Sequence, residues 1–268
     1  MKLTEKEFNW IVEYMHNRYG IELGHKRVLI EGRLENYLLK NGYTSYGEFI
    51  NRIASSPDGE EAGDMINILT TNHTFFMREF MHFEYLSRYV LPWIREKKAG
   101  TKDVRIWSAA ASTGEEPYTI AMILNYYFGM ELGWDTQLLA TDISMEVLQK
   151  ASDGIYLTEQ IESIPDRWKR QYFRKINDEQ FQVSRELRKQ IVFKRFNLMD
   201  DIMFKGRFQV VFLRNVMIYF EDQTKQNLLK KIYGHMEDGG YLFIGTTESI
   251  DKVSSRFKYI QPSIYRKI

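Results

Sequence analysis

The 268-residue chain contains no cysteine. That absence excludes disulfides, zinc–thiolate sites and thiol catalysis, and it fits a reducing cytosol. A dominant charge is missing too, since 37 Lys and Arg offset 36 Asp and Glu to leave a net +1. Nothing in that balance calls for nucleic acid or an anionic membrane as partner. No apolar run reaches the roughly 20 residues that cross a bilayer, and the opening MKLTEKEFNWIVEY has no apolar signal region. A soluble, cytoplasmic globular protein without membrane insertion is expected. Glycine is scarce where a dinucleotide site would demand it. Residues 109–114 read Ala-Ala-Ala-Ser-Thr-Gly, whereas a nicotinamide loop reads G-x-G-x-x-G.

What the chain does have is apolar material, 44% of residues, enough for one large domain or a medium domain with a small companion. The first part lacks strand signals. Thr4 with Glu7 forms a capping box opening a helix to about Tyr19, closed by Gly20. A second helix is expected from about His25 to Leu39, with Val28, Leu29, Leu34, Leu38 and Leu39 near one face. A third spans roughly Ser45 to Ala54 and a fourth about Glu60 to Leu69. The polar and aromatic stretch TTNHTFF (70–76) then leads into a longer helix, from Arg78 to about Lys97. From Asp103 strands alternate with helices. Strand candidates are 103–109, 136–141, 208–214 and 240–246, which argues for a parallel sheet covered on both faces. Residues 155–200 break that rhythm. Phe181-Gln182-Val183 and Ile191-Val192-Phe193 there read as a small antiparallel insertion, and Tyr259 to Tyr265 as a final hairpin.

The stretch WSAAASTGEEPYTIAM (107–122) carries the most chemistry. A strand end drops into small residues, and a helix opens at Glu115 with Pro117 in its first turn. Small residues at such a turn let backbone approach a ligand, and the free N–H groups of the helix start offer donors. Glu115 and Glu116 would repel a pyrophosphate there, so a ligand with hydroxyls or positive charge suits the site better. S-adenosylmethionine, with an ammonium and a sulfonium, is favoured, and Glu115 is the candidate for its ammonium. The lesser alternative is that both glutamates are only first-turn residues favoured by the helix dipole. Asp142 ends an apolar strand, beyond whose carboxyl edge ligands bind in open α/β sheets, and is placed to accept from both ribose hydroxyls. It could also cap the next helix, a role Ser144 can fill alone. Asn215 and Val216 follow the strand 208–212 and are placed over the cofactor's reactive end. Asn197 and Leu198 are placed to contact adenine, although an asparagine at a strand end is often only a turn former.

The segments TTNHTFFMRE (70–79), WSAAASTGEEPY (107–118), ATDIS (140–144), NLMD (197–200), RNVMIYF (214–220) and GGYLFIGTTES (239–249) occur in this order. Together they make the chain resemble the chemotaxis-receptor methyltransferases, the CheR-type protein-glutamate O-methyltransferases, from about residue 5 to the end. The resemblance implies an all-α N-terminal domain, residues 1–75, on an α/β class I S-adenosylmethionine-dependent (Rossmann-like) domain, residues 76–268, with an inserted antiparallel β-subdomain at about 173–196. It implies a cofactor pocket of Asn72, Thr74, Arg78, Glu115, Asp142, Asn197, Leu198, Asn215 and Val216, with no metal. Arg78 would also orient the substrate carboxylate or the cofactor, and Tyr219 would line the transfer channel. The implied partners are the cytoplasmic helices of methyl-accepting receptors, met by Lys26, Arg27 and Arg33 of a basic second helix that Glu31 and Glu35 interrupt. A monomer is expected. Members that dock on a receptor's C-terminal pentapeptide tether carry a glycine-containing loop in the insertion. The corresponding turn, Lys175 to Gln180, has no glycine, so direct recognition of the methylated helix bundle is expected.

A glutamate side chain is already ionised at neutral pH, its ordinary pKa being about 4.3, so its methylation calls for no general base. The five histidines are scattered accordingly. Two other functions compete with this reading. A nucleic-acid methyltransferase on the same fold would show a basic stripe with stacking aromatics, which the charge balance argues against. A non-catalytic module that senses S-adenosylmethionine and docks on receptors is the alternative.

Overall fold

The computed structural model describes residues 1–251 and 255–268. Four helices come first: α1 (Glu5–Tyr19), α2 (Arg27–Lys40), α3 (Tyr46–Ser55) and α4 (Glu60–Leu69). The capping box is present at α1, where Thr4 Oγ1 accepts from the Glu7 N–H at 3.3 Å and Glu7 Oε2 accepts from the Thr4 N–H at 2.8 Å. Gly20 ends the helix in the left-handed region, φ 69°, and its N–H returns to His16 and Met15. The buried stripe of α2 is Ile30, Leu34 and Leu38. Val28 and Leu39 stand 83% and 60% exposed, so the expected apolar face is corrected by a shift of phase.

Residues 71–75 form no regular element, and Phe76 anchors this segment, fully buried against Tyr156 and Phe173 at ring separations of 4.8 and 5.8 Å. The long helix expected from Arg78 begins later and is three pieces end to end. These are α5 (Met81–Tyr85), a π-turn (Leu86–Val90) and α6 (Leu91–Lys97). Pro92 explains the break, because its ring cannot donate and crowds the preceding turn. The Leu91 N–H reaches back five residues to Leu86 instead.

The alternating segment builds a seven-stranded sheet in the order β6-β2-β1-β7-β8-β10-β9. Its strands are β1 (Ile106–Ala109), β2 (Leu138–Asp142), β6 (Ile191–Arg195), β7 (Phe208–Leu213), β8 (Met236–Ile244), β9 (Phe257–Gln261) and β10 (Ile264–Lys267). Neighbours are parallel except at β10, which runs against both β8 and β9. Intervening helices are α7 (Glu115–Phe128), α8 (Met145–Asp153), α9 (Asp166–Tyr172), α10 (Arg185–Lys189) and α11 (Asp222–His235). A second sheet, β3-β5-β4, joins Ile155–Leu157, Gln180–Val183 and Phe173–Lys175. The expected insertion bounds are thereby corrected at both ends. Residues 155–157 belong to the small sheet, whereas Ile191-Val192-Phe193 pairs in parallel with Leu138-Leu139-Ala140 in the large one.

Strand residues alternate between two cores. Trp107, Val211 and Leu213 pack with α1–α4 and α11 on one face, while Ile106, Val210 and Phe212 pack with α5–α7 on the other. The all-α unit therefore shares a continuous core with the sheet. Trp107 is fully buried, and its indole N–H donates to Thr141 Oγ1 at 2.9 Å, so no polar group is orphaned there.

Candidate functional site

Strand order reverses between β1 and β7, since the chain builds outward to β2 on one side and to β8 on the other. Ligands of such sheets bind where the carboxyl ends diverge. A cleft of about 1030 Å³, counted to its open mouth, lies there. Its lining includes Asn72, Thr74, Arg78, Asp142, Asn197, Leu198, Asn215, Val216 and Tyr219, so nine expected site residues converge from distant parts of the sequence.

The turn after β1 is held in an unusual backbone shape. Ala110 and Ser112 have φ of 67° and 50°, and Gly114 has φ 100°. A Cβ at Gly114 would stand 2.9 Å from both Ala151 Cβ and the Tyr156 hydroxyl, so glycine is required. Met77, Glu79 and Asn215 also sit at positive φ, and such non-glycine strain collects at binding sites. The Ser112 N–H donates to Asp142 Oδ2 at 2.9 Å and the Ser144 N–H to Asp142 Oδ1 at 3.0 Å. Ser144 meanwhile caps α8 with its own hydroxyl. Burial pushes the Asp142 carboxyl up from its ordinary value, with the N–H groups of Ser144, Ser112 and Ile143 opposing.

Glu115 is not among the lining residues. It is buried, its Oε2 accepts from Thr113 Oγ1 at 2.7 Å, and burial raises its carboxyl pKa. Successive helix residues point about 100° apart, and it is Glu116 that lines the cleft. Glu116 is already engaged, with Ser108 Oγ at 2.7 Å and Arg214 Nη1 at 2.7 Å. The Arg214 side chain is 2% exposed and also meets Glu79 at 3.2 Å and the Arg78 carbonyl at 2.6 Å. Burial opposes ionisation of Glu79, yet Arg214, the Thr246 N–H, the Asn215 amide and His82 together hold its carboxyl below the ordinary value. Burial lowers His82 to about 4, helped by the Arg214 charge.

Asn197 spends its side chain on structure, donating to the Arg18 carbonyl at 2.8 Å and accepting from the Met199 N–H at 3.0 Å. Arg78 donates to the His73 carbonyl at 2.7 Å and lies 5.8 Å from the Phe75 ring. Tyr219 reaches the Thr71 carbonyl at 3.4 Å, with Lys26 Nζ 5.5 Å from its ring centre. The expected basic face of α2 is largely consumed inside the molecule. Arg27 pairs with Glu5 and Glu31, and Arg33 donates to the Ile68 and Thr70 carbonyls and to Thr71 Oγ1. Tyr19 and Ile21, from the end of α1, also line the cleft, as do Ser112 and Phe196. Sequence reading missed them, the first two because nothing local marks a helix end as a wall of a remote cleft. Arg214 carried a usable signal, since a strand that buries an arginine at its end requires a buried acid nearby.

S-adenosylmethionine fits these residues. A carboxylate has about four acceptor positions, and Asp142 keeps some free for a diol after its backbone bonds. Ile143, Phe196, Leu198 and Val216 offer apolar surface for a purine ring. The fold and this cleft define a class I S-adenosylmethionine-dependent methyltransferase. Residues 6–70 match the family described as "CheR methyltransferase, all-alpha domain", and residues 72–266 match "CheR methyltransferase, SAM binding domain". The chain belongs to the CheR methyltransferase family, and its cofactor is S-adenosylmethionine. It is 38% identical to a chemotaxis protein methyltransferase of Borreliella burgdorferi, covering 100% of this chain and 96% of that one. It is 35% identical to the chemotaxis protein methyltransferase of Escherichia coli, over 99% and 92%. Among solved structures, a glycopeptide N-methyltransferase complexed with S-adenosylmethionine aligns at TM-score 0.32 and 14% identity, over 59% of this chain and 53% of that one, too slight a likeness to argue from. No helix among the described residues is long and apolar enough to cross a membrane.

Proposed function

We propose that this protein esterifies glutamate side chains on the cytoplasmic helices of methyl-accepting chemotaxis receptors. The observation that carries this reading is the charge pattern of the cleft. Arg214 is shared by Glu116 and Glu79, and Asp142 is held by backbone N–H groups. Arg78, in contrast, lines the cleft, and Lys26 stands against the cleft residue Tyr219, with no carboxylate partner for either among the described residues. Two uncompensated cations suit an incoming anion. Asn72, Thr74, Asp142, Asn197, Leu198, Asn215 and Val216 hold the cofactor, and Glu115 supports the turn from behind. The bound cofactor supplies a methyl group on a sulfonium, with a neutral thioether as leaving group. Arg78 orients the carboxylate, Tyr219 walls the approach, and the apolar surface strips water from the oxygen. Such positioning contributes about 7–11 kcal/mol to a reaction of this type.

The turn between β4 and β5 has no glycine. Asn177 closes it instead, its Oδ1 accepting from the Glu179 and Gln180 N–H groups at 3.0 and 2.8 Å. Recognition of the receptor is therefore direct, through the helix bundle rather than a tether.

Labelled S-adenosylmethionine with receptor-containing membranes should yield base-labile label in receptor protein. Unlabelled receptor despite tight cofactor binding would favour the non-catalytic sensing module. His73 is the one histidine lining the cleft and packs 5.8 Å from Phe75. The rate should be flat from about pH 6 to 8, because no base is used. A rate that climbs with pH across this range would show that a base is used and overturn this mechanism.

A further inference from the structure

The Asn215 side chain sits between two fixed groups. Its Nδ2 donates to Glu79 Oε1 at 3.3 Å, and Glu79 is itself held by Arg214 at 3.2 Å and by the Thr246 N–H and hydroxyl at 3.2 Å each. On another side, a Cβ added at Gly245 would stand 2.5 Å from Asn215 Nδ2, so only glycine leaves room for the amide. The Asn215 N–H donates to Glu248 Oε2 at 2.8 Å, which fixes the backbone beneath. An ionised carboxylate only accepts, so the amide has one orientation, with its NH2 toward Glu79 and Oδ1 turned away. Asn215 lines the cleft, and no described residue donates to Oδ1. The glutamates of the neighbouring helix start are already engaged, Glu116 by Arg214 and Ser108, and Glu115 by Thr113.

We propose that Glu79 and Gly245 are positioning residues that turn the Asn215 carbonyl oxygen toward the cleft as acceptor for the ammonium of the cofactor's amino-acid end. This rests on the assignment of the cleft to S-adenosylmethionine. Glutamine at position 79 presents either a carbonyl or an NH2, so the amide opposite loses its fixed orientation. Alanine at 245 pushes the amide out of place without touching Glu79, and it also crowds Glu248 Oε2 at 2.8 Å, the acceptor of the Asn215 N–H.

Calorimetric titration of the full chain with S-adenosylhomocysteine, and with its analogue lacking the α-amino group, tests this. Glu79→Gln should weaken S-adenosylhomocysteine about tenfold, the worth of one hydrogen bond to a charged group. It should leave the desamino analogue within about twofold. Gly245→Ala should show the same split, and it carries the comparison alone if Glu79→Gln does not fold. Equal weakening of both ligands would overturn the proposal, because it would report general damage to the cleft. Unchanged binding of S-adenosylhomocysteine in both variants would overturn it as well. A wild-type chain that binds neither ligand would remove the cofactor assignment and this proposal together, a failure distinct from loss of the split.

Discussion

Replacing Arg214 with methionine keeps most of the side chain's volume and deletes its charge. The consequence follows from what the guanidinium touches. Its side chain is 2% exposed, and the two carboxylates it meets, Glu116 at 2.7 Å and Glu79 at 3.2 Å, are 13% exposed each. It also lies 5.4 Å from the Phe83 ring, a contact methionine can retain in part. Removing one partner of a buried pair costs about 3–5 kcal/mol, since the remaining charge is stranded away from water. The stranded carboxylates can escape by taking up a proton, so their folded-state pKa values rise above the unfolded ones. The stability of such groups is fully present below the unfolded pKa and is lost as pH rises through the folded value. Urea unfolding of wild type and Arg214→Met at about pH 8 should therefore show a gap of about 3–5 kcal/mol, and a much smaller gap near pH 5. A gap independent of pH, or below about 1 kcal/mol at pH 8, would refute the idea that this arginine compensates buried charge.

His82 should make the wild type acid-sensitive in another window. Its unfolded form takes a proton near 6.5 while the folded form waits until about 4, so stability falls as pH drops between those values. At about 1.36 kcal/mol per unit the loss reaches at most about 3 kcal/mol, and His82→Leu should abolish it. Identical acid profiles for the two proteins would contradict the assignment. Gly114→Ala should cost about 1–3 kcal/mol and raise the dissociation constant for S-adenosylhomocysteine, because φ 100° and two contacts at 2.9 Å both oppose a Cβ. Unchanged melting temperature and affinity would show that the turn tolerates it.

Local chemistry explains which elements could be read from sequence. Thr4 with Glu7, and Gly20, are capping signals that act within a few residues, and α1 has the expected bounds. Strands β1 and β7 are buried throughout and read as mostly apolar runs, as does the end of β8. Strand β8 starts earlier than expected, at Met236, because the residues that follow there are the polar Glu237-Asp238-Gly239-Gly240. Strand β6 was misplaced for the opposite reason. It is an edge strand whose Val192 is 40% exposed, and its parallel partner β2 lies some fifty residues away, so no local pattern declares which sheet it joins. The choice between Glu115 and Glu116 was equally hidden, because it depends on the rotation of α7 about its axis. The i,i+4 pair of Arg27 with Glu31 lies within α2 and is local. Glu5 and the Ile68 and Thr70 carbonyls that also engage Arg27 and Arg33 come from distant segments, which no local pattern declares. Nine of the expected site residues do line the cleft, but Asn72, Thr74 and Arg78 were reached through the family resemblance, because composition alone leaves the polar segment 70–78 unexplained.

The cleft does not respect the division of the chain at residue 71. Tyr19 and Ile21 wall it from the helical side, the Glu22 N–H donates to the Tyr219 carbonyl at 2.8 Å, and Ile21 bridges to Phe220. A fragment cut at that boundary would keep all ten strands of the described residues yet lack the wall that Tyr19 and Ile21 supply. Its failure to retain nucleoside would say nothing against the residues it still contains. A minimal version of this protein must therefore be trimmed from surface loops, never from the front.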